Sequence, residues 1–158
     1  MLDMAVSVEV TQEVPELVAS AAALFAEDAG THDPLMDLGW PEREGAAYYQ
    51  DLVEDHDALC LLARTDGGAA AGYLIGRLLP VGPLRPGVVR AVLESMRVAA
   101  EHRREGVGEA LVAAFVEWAR ARGANELSVQ AYARNEGALA FYRAQGFRPF
   151  EVKLVREA

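Results

Sequence analysis

The 158-residue chain has one cysteine and one lysine, Cys60 and Lys153. A lone cysteine cannot close a disulfide within the chain, so no disulfide framework is available and a reducing, cytoplasmic setting is expected. Cys60 sits in the apolar run Leu59-Cys60-Leu61-Leu62 and reads as a buried thiol. Because the sole lysine lies outside any glycine-rich stretch, there is no GxxxxGK and no nucleotide P-loop. Basic residues are missing until Arg43, so the N-terminus lacks the positive region of a signal peptide. The most apolar early run, Leu17 to Ala26, falls well short of the ~20 residues a membrane span requires, and no membrane partner is expected. The histidines His32, His56 and His102 have no ligand spacing, so no metal site is expected. No linker, repeat or low-complexity tract interrupts the chain, which reads as one domain over residues 1–158.

What is present is a core-forming composition, 52% hydrophobic, with an uneven charge. The net charge of −9 argues against nucleic acid as a partner. Residues 1–58 carry 14 acidic groups against one basic, a net −13; residues 59–158 carry 10 against 14, a net +4. The first half suits a cationic partner and the second an anionic one, although an acidic surface can serve solubility alone. Arginine outnumbers lysine 14 to 1, a bias that suits a GC-rich bacterial genome.

Periodicity supplies the elements. Val6–Val10 alternates as a strand, and Thr11 can cap a helix through Leu17, Ala21, Leu24 and Phe25. Asp28 to Trp40 reads as a loop, and Pro41 opens a helix with Tyr49, Leu52 and Val53 on its apolar face. Leu59–Arg64 and Ala69–Leu79 read as strands joined at Asp66-Gly67-Gly68. A proline-stiffened connection, residues 80–87, leads into a strand over Val88–Val98. A helix follows with Val107, Leu111, Phe115 and Trp118 on one face, ended by Gly123. Leu127–Ala131 is a half-buried strand, Asn135 starts a short helix ended by Gly146, and Phe150–Val155 reads as a last strand.

The turn Arg103-Arg104-Glu105-Gly106-Val107-Gly108 lies between strand and helix. The first N–H groups of a helix lack internal partners and sit at the positive end of its dipole, so a strand–glycine–helix junction is a phosphate cradle. The bland alternative is a tight turn with close helix packing. A dinucleotide fingerprint fails because Leu111 stands where GxGxxG needs a third small residue.

The run Leu93-Glu94-Ser95-Met96-Arg97-Val98 followed by Arg103-x-x-Gly106-x-Gly108, and then Asn135-x-x-Ala138-x-x-Phe141-Tyr142-x-x-x-Gly146-Phe147, resembles the GCN5-related N-acetyltransferase (GNAT) superfamily over about residues 88–150. The resemblance implies an α/β fold, α+β by some schemes: a single mixed, mostly antiparallel sheet with flanking helices and splayed central strands. It implies acetyl-CoA as co-substrate, held by Met96, Val98, Arg103, Arg104, Glu105, Gly106, Val107, Gly108, Asn135 and Tyr142. It implies transfer to a primary amine, a small cationic molecule or a peptide N-terminus, by direct attack in a ternary complex. The Val98 N–H would polarise the thioester carbonyl, Tyr142 would be general acid, and Glu94 general base. The alternatives are a core tyrosine, a solvated or merely cation-attracting carboxylate, and an Asn135 that only caps its helix. A rival implication is a non-catalytic acyl-CoA-binding module. Plain alternation would put Glu94, Met96 and Val98 on one side of the strand and Ser95 and Arg97 on the other, unless a bulge intervenes. Asp28, Asp33, Asp37, Glu42 and Glu44 are expected around the acceptor groove, with His32 a minor candidate base, and a homodimer is allowed.

Overall fold

The computed structural model describes residues 6–158. Five strands, β1 (Val6–Val10), β2 (Ala58–Thr65), β3 (Ala70–Leu79), β4 (Arg90–Val98) and β5 (Glu126–Val129), form one sheet in sequence order. Every pairing is antiparallel except β4 with β5, which is parallel. Helices α1 (Val14–Leu24) and α3 (Trp40–Glu54) cover one face, with the short α2 (Gly30–His32) between them in sequence; α4 (Val107–Ala121) covers the other, with α5 (Glu136–Ala144) packed beside it.

The strand alternation sorts β2 and β3 onto two cores. Leu59, Leu61, Leu74, Leu93, Leu111 and Phe115 pack on the α4 side. Leu17, Tyr49, Leu62, Tyr73 and Ile75 pack on the α1–α3 side with Cys60, whose thiol is pushed up to about 11 by burial. On α4 the buried face is Val107, Leu111, Val112, Phe115 and Ala119. Trp118 is only half-buried, its ring against Phe115 at 6.2 Å and under the Arg122 guanidinium at 5.9 Å.

Several boundaries differ from expectation. Thr11 does not occupy the cap position of α1, which begins at Val14; its hydroxyl accepts from the Glu13 N–H at 3.0 Å. The expected loop from Asp28 is shorter, because the helix widens into a π-turn (Phe25–Ala29) and continues through α2. The central strand begins at Arg90 rather than Val88, and β5 stops at Val129 rather than Ala131. Phe150–Val155 forms no strand: no described strand lies alongside it to complete a ladder.

Candidate active site

The ladder between β4 and β5 runs from Arg90 opposite Glu126 to Leu93 opposite Val129 and stops. Immediately beyond, β4 bulges. Ile75 of β3 faces Ser95 and its neighbour Gly76 faces Leu93, so Glu94 is the extra residue. The bulge overturns plain alternation. Leu93, Met96 and Val98 pack toward α4, while Glu94 lies on the opposite face, its carboxylate reaching Tyr48 of α3.

From Glu94 to Val98 the β5-facing side of β4 therefore has no strand neighbour among the described residues. Ala99 donates to Ala71 at 2.8 Å, so that pair is hydrogen-bonded and the adjacent Val98–Gly72 pair is not. The Val98 N–H consequently points away from β3 and into the opening between β4 and β5. A groove of about 780 Å³ occupies this opening. Met96, Val98, Arg103, Arg104, Gly106, Val107, Gly108, Asn135 and Tyr142 all line it, together with Glu94. Glu105 does not; its carboxylate lies 3.4 Å from His102 Nδ1.

At one end of the groove α4 starts at Val107 with no side-chain cap. Gly106 has φ +82° with nothing within 4 Å of where a Cβ would be, leaving the first N–H groups open to an anion. Gly108, which lines the groove, also has a packing role: a Cβ there would meet the Phe141 ring at 3.0 Å, so its smallness lets α4 and α5 approach. Arg103 donates to the Val98 carbonyl at 3.1 Å and to Glu27 at 2.8 Å. Glu27 also takes Arg97 at 2.6 Å, and the Arg97 hydrogen bond is the main cause holding its carboxyl below the usual range.

At the other end Glu94 Oε1 accepts from the Tyr48 hydroxyl at 2.7 Å and lies 3.4 Å from Arg77. Burial, and then the hydrogen bond to Glu94, push Tyr48 up to about 12. Tyr48 is held edge-on by Trp40 at 5.3 Å, and Trp40 stacks on Phe25 of the π-turn at 5.9 Å.

Tyr142 also lines the groove. Its ring packs edge-on against Phe141 and Phe147, and its hydroxyl is pushed up to about 12, chiefly by burial and then by Asp28. Asn135 caps α5, accepting from the Ala138 N–H at 3.0 Å, and donates to Asp28 at 2.9 Å. His32 Nε2 is 3.9 Å from the same Asp28 oxygen, and its ring meets Tyr132 at 5.4 Å.

Of the five acidic residues expected at the acceptor side, Asp28 alone lines the groove. Asp33 turns back to the Leu35 N–H at 3.1 Å, and Asp37 is spent on Arg43 and the Gly39 N–H. Glu42 and Glu44 are exposed on α3. The groove's carboxylates are Glu27, Asp28, Glu94 and Glu109, and the sequence reading missed Glu27, Glu109, Tyr48 and Arg77 altogether. Tyr48 carried one signal, its place beside the buried Tyr49 on α3. No three His, Cys, Asp or Glu side chains converge as a metal site among the described residues.

Known proteins share this fold. The Acetyltransferase (GNAT) family model matches residues 22–147. A curated relative, aminoglycoside N(6')-acetyltransferase type 1 of Klebsiella aerogenes, is 30% identical over 123 residues, covering 74% of this chain and 80% of that protein. Among solved structures, the aminoglycoside 6'-N-acetyltransferase AAC(6')-Ih of Acinetobacter baumannii superposes with a TM-score of 0.73 at 21% identity, covering 98% of each chain. AAC(6')-Iy, solved with the bisubstrate analogue CoA-S-monomethyl-acetylneamine, superposes with a TM-score of 0.73 at 17% identity, over 98% of this chain and 99% of that one. The splayed sheet, the open helix start and these matches agree: the chain is an N-acetyltransferase belonging to the GNAT family.

Proposed function

We propose that the chain moves an acetyl group from acetyl-CoA to a primary amine of a cationic acceptor, by direct attack in a ternary complex. The observation that carries this is the outward-facing Val98 N–H, which lies in the same groove as the uncapped start of α4 and Tyr142. A pyrophosphate on the Gly106–Gly108 turn would direct a pantetheine arm along the unpaired edge of β4, where backbone groups can hold it as an added strand would. The Val98 N–H would then donate to the thioester carbonyl as charge develops on its oxygen.

Glu94 draws the ammonium into the groove and takes its proton, directly or through water, since an alkylammonium of pKa ~10.4 is almost wholly protonated at neutral pH and cannot attack. The amine nitrogen bonds the acyl carbon, the carbon–sulfur bond breaks, and Tyr142 supplies the proton to the sulfur. A tyrosine held near 12 cannot simply hand a proton to a thiolate whose conjugate acid has pKa ~8.5, so the transfer accompanies bond cleavage. Cys60, buried with its thiol held protonated, offers no covalent route. The cytoplasm is the compartment this reading expects.

The aminoglycoside acetyltransferases among the relatives and neighbours support a polycationic acceptor, and the groove's four carboxylates fit one. The test is free-thiol release from acetyl-CoA with aminoglycosides, polyamines, amino acids and peptides. Turnover confined to multiply charged amines supports the proposal. Tight acetyl-CoA binding with no turnover on the whole panel would leave an acyl-CoA-binding module instead.

A further inference from the structure

Glu94 sits at the extra position of the β4 bulge, so no residue of β3 faces it across the ladder. A glutamate in that place has several rotatable side-chain bonds and no cross-strand neighbour to limit them. Its neighbour in sequence gives no help: the Ser95 hydroxyl is buried without a hydrogen-bond partner among the described residues. The Tyr73 hydroxyl of β3 is buried without a partner in the same way. Arg77 reaches Glu94 through one nitrogen at 3.4 Å, at the long limit of a hydrogen bond. Left to β3 and β4, the carboxylate would have no close hold.

The close hold comes from α3. The Tyr48 hydroxyl donates to Glu94 Oε1 at 2.7 Å, across 46 residues of sequence. Burial and that contact keep the phenol protonated up to about 12, so it donates throughout the neutral range. The ring that carries the hydroxyl has little freedom. Trp40 meets it edge-on at 5.3 Å and Tyr49 at 5.2 Å, and Tyr49 belongs to the core. Trp40 in turn stacks on Phe25 of the π-turn at 5.9 Å. The hydroxyl thus ends a packed aromatic row that runs from the π-turn through α3 to the bulge. A fixed point of that kind is what a mobile carboxylate needs, because a reacting group displaced by about 1 Å loses much of its rate advantage.

We infer that Tyr48 is a positioning residue: it pins Glu94 Oε1, so that Oε2 is the oxygen presented to the acceptor amine. The inference rests on Glu94 acting as the base. Tyr48 neither takes nor gives a proton in the reaction. It fixes where the transfer happens and, by donating to the charged form, favours the ionised carboxylate.

The other titratable groups around Glu94 are Tyr49 of α3, Tyr73 and Arg77 of β3, and Cys60 of β2. Burial keeps these two phenols and the thiol protonated well above neutral pH, and arginine stays charged, so none of them titrates with a carboxylate. Arg97, on the same strand, is engaged by Glu27. Asp28, His32, Glu109 and Tyr142 line the same groove.

A double-mutant cycle tests this, with acetyl-CoA and the fastest amine of the panel above. Tyr48→Phe removes the hydroxyl and keeps the ring against Trp40 and Tyr49. Its kcat should fall roughly tenfold with the acceptor KM unchanged, and the acidic limb of its rate profile should move to higher pH. In a Glu94→Gln background the same change should cost less than about twofold, because no base is left to position. Infrared carboxylate spectra, with Glu94→Gln as the blank, read the titration without turnover and should show the same upward move. Equal losses in the two backgrounds, an unmoved titration, or a raised acceptor KM with normal kcat would overturn the inference and leave Glu94 as the base. Full activity in Glu94→Gln would remove the base itself, and the inference with it.

Discussion

The two ends of the groove are both built around a glutamate held by arginine, and they are tied differently. Glu27 spreads its two carboxylate oxygens over Arg97 and Arg103 and is fully engaged. Glu94 receives Tyr48 and Arg77 on the same oxygen, Oε1, and the other oxygen has no protein partner among the described residues. The first arrangement occupies cationic side chains beside the open helix start; the second leaves one oxygen of a groove-lining carboxylate without a protein partner among the described residues. Similar chemistry thus yields a fully engaged counter-ion at one end and a partly engaged carboxylate at the other.

Substitutions at the two ends should separate, and the largest effect is expected at the helix start. Gly106→Val should abolish detectable acetyl-CoA binding by calorimetry, since a β-branched side chain would fill the cradle. Gly106→Ala controls for the left-handed backbone, which costs roughly 1–2 kcal/mol with any Cβ. Unchanged affinity in a folded Gly106→Val protein would break the assignment of that end to the cofactor.

Next in size, Tyr142→Phe should lower kcat roughly 100-fold with little change in acetyl-CoA affinity, because only the proton donor is lost. Normal turnover would reduce Tyr142 to packing.

Glu94→Gln keeps the Tyr48 contact and removes the base. It should cut kcat roughly 10- to 100-fold at neutral pH and recover partly at high pH, where more amine is already neutral. An unchanged acidic limb in the rate profile would show that another group takes the proton.

Smaller still, and of opposite sign, Glu27→Gln should tighten acetyl-CoA a few-fold, because a carboxylate no longer competes for Arg103. Weaker binding would instead make Glu27 a positioning residue for the arginines.

The smallest effect is one of stability. Tyr48 and Tyr142 hold their protons to about 12, and Tyr49 and Tyr73 are pushed higher still by burial. Folded pKa values above the unfolded ~10 mean the native state binds more protons there. Their contribution is complete below pH ~10 and is lost as pH rises toward the folded values. Thermal melts should fall across that window, less so in Tyr142→Phe.

Much of this was legible in the residues. The Gly106 turn, the amphipathic α4, the Asn135 cap and the left-handed Gly123 and Gly146 follow from local backbone preference, which short stretches encode. The facing of Glu94 was not, because one inserted residue reverses strand parity and nothing in the neighbouring side chains marks it. Nor were Glu27, Tyr48 and Arg77, whose roles come from contacts 70, 46 and 17 residues away in sequence. The π-turn escaped because Phe25-Ala26-Glu27-Asp28-Ala29 is ordinary helix by composition. The expected strand at Phe150–Val155 did not form: its residues carry strand propensity, but a strand also needs a neighbour, and it pairs with none of the described strands.

The bulge at Glu94 has a last consequence. It comes directly after Leu93, the residue at which β4 and β5 part. A bulge adds local twist and bend, so the residue that would receive the amine's proton is also the wedge that unzips the sheet. Deleting Glu94 would differ in kind from substituting it: without the extra residue, β4 could run straight and zip onto the chain beyond Val129. The groove would close over its own lining, and a protein with an intact core would have nowhere to put its substrates.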